Sequence, residues 1–278
     1  MRPAVHSCSL GEMKRRTQLA LSIGLLAVSA AFAQRGFRSY GYEEDNPAPM
    51  PADAAEKTEW VFGRLRYTSG SRRGGRGWGG GSWATDYPKA DRQFVQGVRR
   101  LTRLHAKSVE QVVDIDSDEI FTVPWIYAVE VGRWSLDEKQ AARLREYLLR
   151  GGFLMVDDFH GTQQWADFME SMQRVFPDRI VTDLDNSDQI FHVIYDLSER
   201  FQVPGIQMFR SGQTYEQDGV EPKWRAIQDD KGRVMVAICH NMDLGDAWEW
   251  ADHPRYPENY ASLAYRVGVN YIIYSMTH

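Results

Sequence analysis

The run GFLMV at residues 152–156 is apolar throughout and stops at two aspartates, Asp157 and Asp158. A strand with one face in water alternates apolar and polar residues. A strand that is apolar at every position needs cover on both faces, as a central strand of a parallel sheet has. Parallel strands require crossover connections, and the flanking sequence supplies helical periods for them. Phe94, Val98, Leu101 and Leu104 fall on one face of residues 88–104. Ala141, Leu144 and Leu148 precede the run, and Trp165, Phe168, Met169, Met172 and Phe176 follow it up to Pro177. Ser135 with Glu138 reads as a capping box and Gly151 as a C′ glycine. Further strands are expected over residues 59–67, up to Val113-Asp114 and over 125–129. A hairpin is expected from 224–227 to 233–239 across Asp229-Asp230-Lys231-Gly232, and a last helix opens near Pro257. The alternation predicts an α/β fold, a three-layer sandwich around a largely parallel sheet, in one domain.

A second apolar run, residues 19–33, follows Lys14-Arg15-Arg16 and ends in Ala31-Phe32-Ala33 before Gln34. That is the order of a secretory signal, and the run is short and Ala/Ser-rich for a membrane span. The expected organisation is a signal peptide at 1–33, starting from Met1 or Met13, a flexible linker at 34–57 and a folded domain at 58–278. Thr17-Gln18 after the paired arginines fits the twin-arginine pattern poorly, which favours general export. The protein is expected to be periplasmic or secreted, the alternative being an uncleaved inner-membrane anchor. Cleavage would leave Cys239 alone, so no intramolecular disulfide can form and the core must carry stability. With 26% charged and 43% apolar residues, neither a disordered chain nor a multi-pass membrane protein fits. Lys+Arg 33 against Asp+Glu 38 gives a net charge of −5, which argues against nucleic acid as a partner.

In open α/β sheets, ligands bind beyond the carboxyl ends of the strands. The chemically capable residues crowd those positions. Asp86 follows a glycine-rich stretch read as a flexible flap, and Glu130 follows the strand at 125–129. Asp157, Asp158 and His160 follow the apolar run, and His240, Asn241, Asp243, Asp246 and Trp248 follow the hairpin. Asp86 and the members of the last two groups form the candidate ligand-binding set. Asp157, Asp158, His160, His240 and Asp243 are expected to line one crevice, the alternative being that they cap helices and brace backbone. Trp78, Trp83, Trp248 and Trp250, read as loop residues, suit carbohydrate or protein contact. No Gly-Lys-Ser/Thr cradle, zinc-type Cys/His spacing or His-Glu-x-x-His occurs. No residue is therefore assigned as a metal ligand, no cofactor is named, and any metal would rest on dispersed Asp and His. Neighbours in a strand face opposite ways, so Cys239 beside His240 reads as a buried structural thiol.

The stretches EWVFGRLRY, SWATDYPKADRQF, RLREYLLRGGFLMVDDFHG, VFPDR, IFHVIYDL, VPGIQ and ICHNMDLGDAWEW resemble a bacterial family known as domain of unknown function 4159, over residues 59–278. The resemblance implies a branch of the class I glutamine amidotransferase-like superfamily, related to trehalose-utilisation-type domains, with a flavodoxin-like sheet. The activity does not carry over. That superfamily places a cysteine in a sharp turn after a central strand, whereas the comparable strand here leads into Asp157-Asp158-Phe159-His160. Members of the family occur near MoxR-type ATPases and von Willebrand A-type proteins in envelope gene sets, which hints at assembly partners. The functional expectation is an exported domain without glutaminase activity that binds a polar small molecule or an envelope protein at the carboxyl edge of its sheet. The alternative is a hydrolase using Asp157, Asp158, His160, His240, Asp243 and Asp246 as acid/base groups or as ligands of a divalent metal.

Overall fold

The computed structural model describes residues 50–69 and 82–278. The expected signal peptide, the linker up to residue 49, Trp78 and the flap at 70–81 lie outside the described residues. The two ends of the flap are tied together, Ser82 N–H donating to Ser69 Oγ (3.2 Å). In the described end of the expected linker, Asp53 pairs with Arg99 (2.6 Å). Among the described residues no helix is long and apolar enough to cross a membrane.

A seven-stranded sheet forms the middle layer. Strand β3 (Trp125–Val129) is buried at every position and pairs in parallel with β4 (Phe153–Asp157), Trp125 opposite Phe153 and Val129 opposite Asp157. On one side β1 (Gly63–Arg66) lies between β3 and β2 (Gln111–Asp114), parallel to both. On the other, β7 (Val234–His240) runs parallel to β4. Strand β6 (Lys223–Gln228) pairs antiparallel with β7, the expected hairpin, and the two-residue β5 (Thr182–Asp183) closes that edge antiparallel to β6. The order is β2-β1-β3-β4-β7-β6-β5.

Because successive side chains alternate across a strand, each apolar strand feeds two cores. Phe153 and Met155, with Trp125, Tyr127 and Val129, face α1 (Lys89–Leu101), α5 (Leu244–Glu249) and α6 (Glu258–Thr277). Leu154 and Val156, with Ile126 and Ala128, face α2 (Glu138–Leu149) and α3 (Gly161–Val175). This is the three-layer α/β sandwich that the apolar run at 152–156 requires.

Several local expectations are corrected. The first strand covers Gly63–Arg66 rather than 59–67, and Trp60 joins only through a bridge to Ala106. Helix α1 stops at Leu101, which is 49% exposed, because Thr102 turns extended before the buried stripe of Phe94, Val95 and Val98 gains another member. The capping box of α2 uses Asp137 and Gln140, two residues beyond the expected pair. Asp is as good a cap as Ser, and Gln140 returns the bond. The short helices α4 (Met208–Ser211) and α5 carry too few residues to show a period.

Candidate functional site

Four connections deliver acids to the carboxyl ends of the parallel strands. Asp157 ends β4 but turns inward. Its Oδ2 accepts from Leu244 N–H (2.7 Å), Gly245 N–H (3.0 Å) and the Tyr127 hydroxyl (3.0 Å), fastening the start of α5 to β3 and β4. Burial, with the Asp158 charge beside it, pushes its carboxyl up to about 7. Asp158 follows with a left-handed backbone (φ 51°). Its N–H donates to Met242 O (3.1 Å) and Asn241 N–H donates to Phe159 O (3.0 Å), so the β4 and β7 connections are bonded to each other. Asp243 caps α5 by accepting from Asp246 N–H (2.8 Å), which places both acids on the same turn.

Asp86 arrives from the long connection after β1, also left-handed (φ 61°). It is held from below by Arg64 of β1. The wholly buried guanidinium forms a bidentate pair with Asp91 of α1, reaches the Trp83 and Thr85 carbonyls (3.4 and 3.3 Å), and lies 4.8 Å from the Tyr127 ring centroid. Asp91 keeps Arg64 charged despite the cost of burial.

Three sets of donor atoms result, each with its members within 4.8 Å of one another: Asp86, Asp158 and Asp243; Asp158, His160 and Glu216; Asp86, Asp246 and Glu249. His160 Nε2 lies 3.2 Å from Asp158 Oδ1 and 3.8 Å from Glu216 Oε1. Of the residues expected from the sequence, Asp86, Asp158, His160, Asp243 and Asp246 therefore meet, with Asp157 braced beneath them. His240 turns away. Its Nε2 bonds Gly161 O (3.2 Å), its ring stacks on Phe159, and burial pushes it down to about 4, leaving it neutral. Asn241 is a backbone brace, accepting from Gly161 N–H (2.8 Å) and donating to Glu221 O (2.7 Å). Trp248 lies in α5 rather than in a loop, wholly buried and stacked on Phe94 at 4.1 Å, on the core side. Trp83 is buried as well.

Glu130, Glu216 and Glu249 were not in the expected set. Glu130 was legible in principle, because it directly follows the apolar strand at 125–129. Glu216 lies between α4 and β6 and carries no sequence signal; Gln207 Nε2 holds it at 2.6 Å.

The electrostatics of this cluster are one-sided. Burial, then the neighbouring carboxylates Asp246 and Asp158, pushes Asp86 and Asp243 well above the usual range. Burial also raises Asp246 and Glu216, and takes Glu130 up to about 8 with Asp158 adding to it. Burial works against charging His160, but its bond to Asp158 wins and raises it. Glu130 has Arg133 at 2.6 Å, whereas Asp86, Asp243 and Asp246 have no ion-pair partner among the described residues. Two carboxylate charges 4.8 Å apart repel by about 3.5 kcal/mol at an effective dielectric of ~20. Protons or a multivalent cation must relieve this.

Glycines let backbone approach the cluster closely. A Cβ on Gly245 would stand 2.6 Å from Asp86 Oδ2, and one on Gly205 would stand 2.3 Å from Asp243 Oδ2 and 2.7 Å from Asp246 Oδ2. The buried Asp86 Oδ2 takes no hydrogen bond from any described residue. Four of the five described non-glycine residues with positive φ, Asp86, Glu130, Asp158 and Asn241, lie at this edge, and the fifth, Gln217, follows Glu216. Such backbone costs of order 1 kcal/mol or more each and clusters where geometry is set for function.

Fold and site together define a doubly wound α/β domain with a buried cluster of acids at the carboxyl ends of its parallel strands. The chain belongs to the family described as Domain of unknown function (DUF4159), whose pattern matches residues 61–276. No curated protein matches it.

Proposed function

We propose that this cluster is a divalent-cation centre through which the domain binds a polar, oxygen-rich small molecule, and that the domain is an exported amidotransferase-like module without glutaminase activity. One observation carries the cation reading. Asp86, Asp158 and Asp243, from three separate connections, bring carboxylate oxygens within 4.8 Å of one another where glycines let backbone close in on them. A singly charged ammonium or guanidinium offsets too little of that charge. Oxygen-only donors suit Mg²⁺, Ca²⁺ or Mn²⁺. A bound cation would supply Lewis acidity and coordination positions for ligand oxygens.

The superfamily placement draws support from the parallel strands β2-β1-β3-β4-β7, which follow the 2-1-3-4-5 order of flavodoxin-like sheets. Loss of glutaminase chemistry fits Asp158 in the turn where that superfamily keeps its cysteine, and the burial of Cys239 inside β7. Export rests on the order of charge and apolar residues at 14–34.

The test is titration of chelator-treated protein with each of the three cations, followed by thermal melting. At 100 times Kd, binding to the native state adds about 2.7 kcal/mol of stability, and Asp243→Asn should reduce the gain. A melting temperature unmoved by all three at millimolar concentration overturns the reading. Hydrolysis of the bound molecule is a second reading, favoured by the contact of His160 Nε2 with Asp158 Oδ1, which sets a proton-transfer pair beside the ligand.

A further inference from the structure

We propose that the cluster holds two divalent cations side by side, with Asp158 as the carboxylate they share. This rests on the cation-centre reading and specifies how many ions the centre takes. Asp158 belongs to two donor sets at once, with Asp86 and Asp243 on one side and with His160 and Glu216 on the other. A cation bound at ~2.0–2.5 Å spans donors up to about 4–5 Å apart, so each set can close on one ion. A carboxylate has two oxygens and can serve both ions.

Two independent features point the same way. His160 is 3% exposed, yet its Nδ1 takes no hydrogen bond from any described residue and its Nε2 faces two carboxylates. Asp86 Oδ2, on the other side, is buried and equally unpartnered among the described residues. Asp86 Oδ2 is thus an unused donor in the first set, and His160 Nε2 with Asp158 and Glu216 forms a second set that a single ion between Asp86, Asp158 and Asp243 leaves unoccupied. Charge agrees as well. Fully ionised, Asp86, Asp158, Asp243 and Glu216 would carry four negative charges, which two divalent cations balance and one does not.

The two positions differ in chemistry. Three carboxylates make a hard site, whereas an imidazole with two carboxylates makes a borderline one, and Mn²⁺ suits both. Assigning Nε2 to an ion takes it from the proton transfer of the hydrolytic reading.

Mn²⁺ is therefore the probe, added to chelator-stripped chain. Bound metal is counted by equilibrium dialysis and coupling between ions is read by electron paramagnetic resonance. The expected result is two Mn²⁺ per chain with an exchange-coupled spectrum. Glu216→Gln, at a half-buried position on the rim, should leave one Mn²⁺ with an uncoupled six-line signal. Asp243→Asn should do the same from the other side, and an unchanged melting profile for Glu216→Gln keeps the result interpretable if Asp243→Asn misfolds. One uncoupled Mn²⁺ in the parent chain overturns the shared-ligand centre and leaves the single-cation reading standing. Two coupled ions retained in both variants overturn the ligand assignment. No binding at millimolar Mn²⁺ overturns both inferences.

Discussion

Asp157 and Asp158 are neighbours in sequence with opposite roles. The first serves the fold through three hydrogen bonds, and the second joins the acid cluster. Asp157→Ala should lower stability by about 2 kcal/mol or more, since it strands two buried backbone donors and a tyrosine hydroxyl. Asp158→Asn removes a like charge from a crowded cluster, so its melting temperature should hold or rise in the absence of metal while Mn²⁺ binding is lost. Thermal melts with dialysis on both variants check the contrast; equal destabilisation by the two would contradict it. The sequence marks this dipeptide but not the division within it. The alternation that assigns faces inside a strand ends where Asp158 turns left-handed, and the partners that capture Asp157 lie 87 and 88 residues further along the chain. His240 shows the same limit, with its ring claimed by Gly161 and Phe159 rather than by the acids.

At the scale of elements, what could be read depended on length and pattern. Strand β3 matches its expected bounds because all five residues are apolar. Helix α3 was readable from its apolar stripe of Trp165, Phe168, Met169 and Met172, of which Phe168 and Met172 are fully buried. The six-residue α5, which presents Asp243 and Asp246, shows no period of its own and is set by its cap and by Asp157. The start of α2 was misplaced because sequence alone offers two overlapping boxes, and backbone geometry selects the second. Asp137→Ala should therefore cost about 1 kcal/mol and Ser135→Ala should stay within about 0.5 kcal/mol, as urea denaturation would resolve. The short helix also bears on the site. Gly245→Ala puts a methyl against Asp86 Oδ2, so it should weaken cation binding at least tenfold in the dialysis assay with the sheet intact.

For the whole molecule, the acid cluster sets how stability varies with pH. Burial and the Asp158 charge push the Asp157 and Glu130 carboxyls up to about 7 and about 8 in the folded state, against roughly 4 for free carboxyls. Over that interval the native state holds more protons than the unfolded one, so stability falls as pH rises through the folded values. His240, pushed down to about 4, acts in the opposite sense, but only below roughly 6.5. The cation-free protein should therefore melt at a lower temperature at pH 8.5 than at pH 6.5. Saturating Mn²⁺ should reduce or reverse the drop, because it replaces protons in the same cluster. Scanning fluorimetry at the two pH values, with chelator and with Mn²⁺, measures both signs. The carboxyl edge as the place of the acid cluster was legible from the acids that directly follow the apolar strands. The convergence of Glu216 and Glu249 on Asp86 and Asp158 was not, since it depends on how long connections return to that edge. Arg64 supplies the answer for Asp86: by gripping the Trp83 and Thr85 carbonyls from within the sheet, it makes the end of a long loop part of the framework. The consequence is thermodynamic. The entropy of ordering Asp86 is lost on folding rather than on association, so capture of the proposed ion would not have to pay for ordering this ligand.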